Sequence, residues 1–120
     1  MRNLCALRDI YRSIREFELK FQQEHDLCLN EGMLLCSIES GKYSSSEIAE
    51  MLGLTNSNAS KVIKSVETKG YVERIMGQDD KRQMYFIISK KGRDKIAEIK
   101  CEGKEVDAIL NKIINKNVKL

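Results

Sequence analysis

The sequence predicts a mostly α-helical domain with one small β-hairpin, an α+β architecture. Three observations predict it. The 120 residues contain no proline, so no proline kinks or ends a long helix. Two short helical patterns, each opened by a capping residue, meet at a tight turn around Gly53. Two β-branched and aromatic runs then flank the polar loop of residues 77–83. Two capped helices followed directly by a hairpin are the pattern of a winged helix-turn-helix.

Composition places the chain among globular proteins and excludes several other classes. Charged residues make up 32% of it and hydrophobic residues 42%, and the length suits one domain, which we expect to span residues 1–120. The longest apolar run, Met84–Ile88, is far shorter than the ~20 residues that a membrane helix needs. Because the N-terminus also lacks the apolar core of a signal peptide, we expect a cytoplasmic protein that does not bind membranes.

No enzyme or metal-site motif is recognisable in the sequence. It lacks the glycine-rich loops of nucleotide-binding proteins and the nucleophile motif of hydrolases, so we expect neither an enzyme nor a cofactor. The cysteines show no Cys-x-x-Cys spacing, and the single histidine, His25, has no second histidine beside it, which argues against a metal site. We expect His25 to lie in a loop. The cysteines are expected to be small buried apolar side chains: Cys5, Cys28, Cys36 and Cys101.

Positive charge is concentrated in one segment of the chain. Residues 55–95 carry 10 basic and 5 acidic side chains, a balance of +5, whereas the whole chain has a net charge of only +3. A basic segment of this kind is most often the electrostatic footprint of a nucleic-acid-binding surface. On charge alone, a solvated face rich in lysine is an equally good interpretation.

A first helix is predicted from Asn3 to about Glu24, where apolar residues recur every three or four positions. A small domain has little surface to cover so long a stripe, so a partner helix from a second subunit is one interpretation and burial within the chain is the other. A similar stripe over Ile96–Ile114 predicts a last helix capped by Ser89. Gly92 and Gly103 weaken its helix propensity, which predicts close packing or a bend near Gly103. The apolar stripe of the first helix, Asn3 to about Glu24, consists of Leu4, Leu7, Ile10, Tyr11, Ile14, Phe17 and Phe21.

Two short helices are predicted between these. Asn30 is the expected N-cap of a second helix over Glu31–Glu39. Ser44 and Glu47 have the spacing of a capping box, which opens a third helix that Gly53 ends.

The fourth predicted helix carries the candidate DNA-binding face. Thr55 caps it and it runs to Lys69, with its buried positions at Ala59, Val62, Ile63 and Val66. The remaining face offers hydroxyls, amides and two lysines, which suit phosphates and base edges. The alternative is structural, because Ser, Thr and Asn also open ordinary surface helices. The face consists of Thr55, Asn56, Ser57, Asn58, Ser60, Lys61 and Lys64.

The hairpin is predicted from two strands, Tyr71–Met76 and Met84–Ile88, with a charged tip between them. A hairpin placed directly after a helix-turn-helix is a wing, here residues 71–89.

The run Ser44–Arg74, followed by the wing sequence, resembles the winged helix-turn-helix core of the MarR transcriptional regulators. The family's wing has an acidic residue two positions before an arginine, which Asp80 and Arg82 match, and it closes on a glycine that Gly92 matches. The resemblance covers about Asn30–Ile96, and the flanking helices match by position only.

The sequence also departs from the family in two places. Ile88 and Ser89 stand where the family has Leu and Thr. The chain is shorter than most members, which close their dimer with a further C-terminal helix, and its length is similar to that of the staphylococcal Sar-type relatives.

The resemblance implies a homodimer that binds double-stranded DNA as a sequence-specific repressor. Residues 1–29 and 93–120 would be the dimerisation helices, and residues 30–92 the DNA-binding core. The recognition helices would enter consecutive major grooves of a pseudo-palindromic operator, with half-site centres roughly 34–36 Å apart. A winged-helix protein-interaction module that binds an acidic partner, without specific DNA recognition, is the alternative function.

The resemblance also implies roles for the wing residues. Arg82 would reach into a minor groove, with Lys81 beside it, and Asp80 would orient Arg82 through a salt bridge. The alternative for Asp80 is a simple turn-forming residue. Arg74 matches a family position that either touches the DNA backbone or braces the wing.

Family members are released from DNA by a small-molecule inducer or by oxidation of a cysteine. Cys5 follows Leu4 in the first helix, which is similar to the reactive thiol of the family's peroxide-sensing branch, and Tyr11 lies further along the same helix. The other interpretation of Cys5 is a small hydrophobic residue near the N-terminus.

Overall fold

A computed structural model of the chain describes residues 2–100, 103 and 106–111. One compact unit spans Leu29–Ile99, and the segments that flank it make a second. Residues 103 and 106–111 are helical as well. The elements in chain order are α1 (Arg2–His25), α2 (Leu29–Ser37), α3 (Ser45–Leu52), α4 (Asn56–Thr68), β1 (Val72–Met76), β2 (Met84–Ile88) and α5 (Lys90–Ile99).

The first helix is confirmed, and most of its apolar stripe faces solvent. Leu4, Leu7 and Tyr11 are 61%, 57% and 63% exposed. Phe21, by contrast, is buried, and its ring centroid lies 4.9 Å from that of His25 one turn later. The prediction that His25 lies in a loop is wrong: helical spacing carries it onto the face of Phe21, where it is buried as the last residue of α1.

The second helix is present, but its predicted ends are wrong. Asp26 adopts a positive φ of 56° and turns the chain, and α2 then begins at Leu29, so Asn30 lies inside the helix and does not cap it. At the other end the chain leaves the helix after Ser37 in a turn, where the N–H of Gly41 donates to the carbonyl of Ile38 at 3.5 Å.

The third and fourth helices form as their capping residues predict. The hydroxyl of Ser44 accepts from the N–H of Glu47 at 3.2 Å, and the Glu47 carboxylate accepts from the N–H of Ser44 at 2.9 Å. Gly53 ends α3 at φ 67°, a left-handed conformation that favours glycine. Thr55 Oγ1 then accepts from the N–H of Asn58 at 3.1 Å. These paired caps set the tight turn between α3 and α4.

The core of the Leu29–Ile99 unit draws apolar side chains from all of its elements. Val62 was predicted among them but is half-buried. The buried set comprises Leu34, Leu35, Ile38, Ile48, Ala49, Ala59, Ile63, Val66, Val72, Phe86, Ile88 and Ile96.

The predicted hairpin is present, although its first strand begins at Val72, one residue later than predicted, and the strands pair antiparallel from Val72↔Ile88 to Met76↔Met84. The sequence did not predict that Tyr43 adds a bridge to β2. Its N–H donates to the Phe86 carbonyl at 3.2 Å and its carbonyl accepts from the Phe86 N–H at 2.8 Å. A single bridging residue has no strand pattern to detect.

The predicted cap of the last helix is confirmed, because Ser89 Oγ accepts from the N–H of Gly92 at 3.0 Å. Gly92 is closely packed as well, since a Cβ there would lie 2.3 Å from the Tyr71 carbonyl oxygen. A Cβ at Gly103 would meet nothing within 4 Å, so there is no close packing at that position. The stripe positions beyond residue 111, and Cys101, lie outside the described residues.

The expectation that the cysteines are buried is wrong for two of them. Cys5 and Cys36 are exposed, and Cys28 is half-buried. Cys36 lies one turn after the exposed Met33, on the face of α2 opposite its buried leucines.

Two further findings concern the described residues only. Their histidine, cysteine and acidic side chains form no cluster that could hold a metal ion. No helix among them is long and apolar enough to cross a membrane.

Candidate nucleic-acid interface

The polar face of α4 is exposed over its whole predicted length. The first turn of the helix contains no acidic residue, so the positive end of the helix dipole is not opposed there. Helical spacing places Ser57, Ser60, Lys61 and Lys64 on the side opposite the buried residues of α4, and the other three lie at its N-terminal end. The structure therefore brings together the predicted set of Thr55, Asn56, Ser57, Asn58, Ser60, Lys61 and Lys64.

The wing tip is a compact loop that presents an arginine. The N–H of Gly77 donates to the carbonyl of Gln83 at 2.8 Å, and the N–H of Gln83 donates to the carbonyl of Asp80 at 3.0 Å. Within this loop the Asp80 carboxylate accepts from the backbone N–H of Arg82 at 2.9 Å and pairs with its Nε at 3.5 Å. The predicted salt bridge is therefore present. The Arg82 side chain is 94% exposed, and Lys81 is exposed beside it.

Arg74 joins β1 to α4. Its Nε donates to the Glu67 carboxylate at 2.6 Å, and its guanidinium lies 5.5 Å from the centre of the Phe86 ring. The hydrogen bond and the negative charge of Glu67 together raise the pKa of Arg74 above its usual value. This geometry is that of a brace between wing and recognition helix, and a contact of Arg74 with DNA stays a prediction.

A shallow groove of about 360 Å³ runs along the second half of α4. Its lining extends the predicted basic face by three residues that sequence reasoning missed: Ser65, Thr68 and Lys69. A sequence signal was available for each of them, because Ser65 and Thr68 follow Lys61 and Lys64 at a spacing of four, and Lys69 follows Ser65 at the same spacing.

Glu31 links α2 to this same part of α4. Its buried carboxylate accepts from the Ser65 hydroxyl at 2.7 Å and pairs with Lys69 Nζ at 3.1 Å. The sequence offered a signal here too, since Glu31 stands three and four residues before Leu34 and Leu35, on the face that becomes buried.

The C-terminal end of α4 is held by Lys91 at the start of α5. Its Nζ donates to the Lys69 carbonyl at 2.8 Å and lies 5.2 Å from the centre of the Tyr71 ring. A cation at this end of a helix interacts favourably with the helix dipole. The recognition helix is thus tied to α2, the wing and α5.

Three solved structures with a similar fold include two complexes with DNA. The transcriptional regulator BldR from Sulfolobus solfataricus is 24% identical, with a TM-score of 0.71, and the alignment covers 97% of this chain and 79% of BldR. The MepR–DNA complex of S. aureus is 16% identical, with a TM-score of 0.65, over 91% of this chain and 95% of MepR. A mutant of E. coli MarR complexed with operator DNA is 19% identical, with a TM-score of 0.67, over 76% of this chain and 68% of that protein.

No curated protein sequence matches the chain significantly. The model of the MarR family matches residues 29–84, which contain α2, the helix-turn-helix and the wing up to the first residue of β2. The helix-turn-helix and wing of this chain therefore match those of the MarR family of winged helix-turn-helix, DNA-binding transcriptional regulators, a family that is not enzymatic.

Proposed function

We propose that the chain is a homodimeric repressor that recognises a pseudo-palindromic operator in double-stranded DNA. The observation that carries the proposal is the exposed polar face of α4, with no acid in its first turn and with the oriented Arg82 on the adjacent wing. Amides and hydroxyls at a helix N-terminus suit base edges and phosphates in a major groove. An arginine on a wing suits the negative potential of a narrow minor groove.

The homodimer is supported by the apolar face of α1. Leu4, Leu7 and Tyr11 are all more than half exposed in the single chain, and exposed apolar side chains in a row mark an interaction surface. A second copy of α1 offers an equally apolar face in an isologous interface. Two recognition helices related by a two-fold axis then require an operator with the same symmetry.

The proposal also includes a signal that releases the repressor from DNA. An inducing small molecule or an oxidant lowers the affinity for DNA. Cys5 supports the second route because its thiol is exposed on α1, the helix whose apolar stripe supports the dimer. A thiol that reacts there would alter the subunit interface and, with it, the spacing of the two recognition helices.

The test is selection of bound duplexes from a random DNA pool at two salt concentrations. We expect a pseudo-palindromic motif to be enriched. If the protein makes six to ten phosphate contacts, raising the salt concentration from about 50 to 200 mM should lower its affinity for DNA by about 10³- to 10⁵-fold. The absence of a saturable, sequence-selective species would contradict the proposal. It would leave the protein-interaction module with an acidic partner as the better interpretation of the basic face.

A further inference from the structure

We propose that Glu31 is a positioning residue for operator recognition, which sets the orientation of α4 without touching DNA. Its carboxylate fixes the second half of the helix so that the first turn reaches the base edges in register. This inference rests on the proposed function, because it assigns a role within the same DNA-binding surface. It concerns how the surface is held and not which residues touch the DNA.

The carboxylate of Glu31 binds α4 at two consecutive turns. Its Oε2 accepts from the Ser65 hydroxyl at 2.7 Å, and Lys69 Nζ lies 3.1 Å from Oε2 and 3.3 Å from Oε1. Ser65 and Lys69 are four residues apart, so they project from the same side of the helix. The Glu31 side chain is only 6% exposed. One buried group on α2 therefore resists both a rotation of α4 about its axis and a tilt of the helix.

Apolar packing alone would restrict the orientation of α4 less strictly. The buried side chains that α4 contributes are Ala59, Ile63 and Val66, and hydrophobic burial is not directional. Hydrogen bonds to a buried carboxylate are directional, and a charged group out of water is costly unless those bonds are kept. A shift of α4 that broke them would be resisted more strongly than a shift that only rearranged apolar contacts.

A small change in orientation is enough to disturb recognition. The N-cap Thr55 lies ten residues before Ser65, a distance of about 15 Å along a helix that rises ~1.5 Å per residue. A rotation of roughly 5° about the Ser65 end would move the first turn by about 1.3 Å, which exceeds the ~0.5 Å range of normal hydrogen-bond lengths. Contacts with base edges would be lost, whereas contacts with phosphates depend less on geometry.

The charge of Glu31 acts in the opposite direction on non-specific binding. Its carboxylate lies against Lys69, one of the three lysines that line the groove on α4. Removing that negative charge makes the groove more positive, which strengthens its attraction for DNA phosphates, whatever their sequence. Loss of Glu31 should therefore weaken specific binding and preserve or strengthen non-specific binding. A simple loss of folding would lower both.

The experiment compares the wild-type chain with Glu31→Gln. Glutamine keeps the shape of the side chain and an oxygen for the Ser65 hydroxyl, but it removes the charge that pairs with Lys69. Binding is measured to the selected operator and to a scrambled duplex of equal length. We expect the ratio of the two affinities to fall about tenfold, the worth of one base contact, while affinity for the scrambled duplex stays equal or rises.

Two further variants separate positioning from stability. Ile96→Val removes a methyl group from a side chain that is buried in α5, so it lowers the melting temperature and should leave the affinity ratio unchanged. On a Lys69→Met background, Glu31→Gln should have a smaller effect than in the wild type, since the charge partner is already absent. Should Glu31→Gln not fold, Ser65→Ala replaces it, with the same expected fall in the ratio.

An unchanged affinity ratio in a folded Glu31→Gln protein, with the wild type selecting its operator normally, would overturn the inference. An equal loss of both affinities would overturn it as well, because the role would then be structural. If the wild type itself selects no DNA sequence, the proposed function fails first, and that result is distinct from either of these.

Discussion

Asp80 holds Arg82 by two bonds, one to the backbone N–H at 2.9 Å and one to the guanidinium Nε at 3.5 Å, at the tip of the wing. The arginine is nevertheless almost entirely exposed. An exposed ion pair of this kind adds little to the stability of the fold. Its consequence is that the cation already points away from the hairpin before DNA is bound, which lowers the ordering cost of binding.

Arg82→Ala should therefore weaken operator binding by roughly 10- to 100-fold, the range expected when one well-made polar contact with DNA is lost. The melting temperature should hardly change, because surface substitutions stay within about 0.5 kcal/mol. Fluorescence anisotropy with labelled operator measures the first and circular dichroism the second. Asp80→Asn serves as the graded control, with a smaller loss since the arginine remains. A protein that binds normally without Arg82 would show that this arginine makes no important DNA contact.

Lys61→Ala should weaken binding to all DNA sequences alike. The ammonium is exposed on the face of α4, and a phosphate contact carries no sequence information. The slope of log affinity against log salt should fall by about one unit, as measured by a salt titration on operator and scrambled duplexes. Lys20→Ala, on α1, removes the same charge outside the interface and should leave the slope as it is. A selective loss on the operator alone would assign Lys61 to a base instead.

Leu7→Gln should shift the chain from dimer to monomer. Leu7 is 57% exposed in the single chain, and a buried leucine is worth about 1.5–3 kcal/mol, counted twice in a two-fold interface. The dimer dissociation constant should rise roughly a hundredfold or more, as sedimentation equilibrium measures. Arg8→Gln changes the neighbouring residue, off the apolar stripe, and should remain dimeric. Equal behaviour of the two variants would place the dimer interface elsewhere.

Cys5→Ser tests whether an oxidant releases the protein from DNA. Treatment with peroxide should lower the operator affinity of the wild type and leave that of the variant unchanged, because the thiol is exposed and able to form a sulfenic acid. A gel shift before and after peroxide measures the release. Cys36→Ser, also at an exposed cysteine, is the matched control and should respond as the wild type does. Release of the Cys5→Ser protein as well would remove this cysteine as the sensor.

Gly92→Ala should destabilise the fold by about 1–3 kcal/mol, a typical cost of overpacking. The added Cβ would lie 2.3 Å from the carbonyl oxygen of Tyr71, which is backbone and cannot turn aside. Gly103→Ala is the control, since a Cβ there meets nothing within 4 Å and alanine favours a helix by up to about 1 kcal/mol. Thermal unfolding should therefore move in opposite directions for the two variants, and a stable Gly92→Ala protein would contradict the packing.

Local patterns were sufficient for much of this protein. The capping box of Ser44 and Glu47, the glycine at Gly53 and the cap at Thr55 each act within a few residues, so the helix-turn-helix could be derived from spacing alone. The strands of the wing followed from β-branched and aromatic runs in the same way. The start of α2 was predicted less well. Asn30 is a residue type that often caps helices, but the chain turns at Asp26 and the helix begins earlier, at Leu29.

What no local pattern contains is a partner that is distant in sequence. Glu31 meets Lys69 across 38 residues, Tyr43 forms a bridge with Phe86, and Lys91 donates to the Lys69 carbonyl across 22 residues. Each of these side chains could be placed on its element from sequence, yet its contact exists only after two elements have packed. Capping and periodicity are short-range effects, and they determine where helices and strands form. The ties that hold the recognition helix in one orientation are long-range and arise from the packed fold.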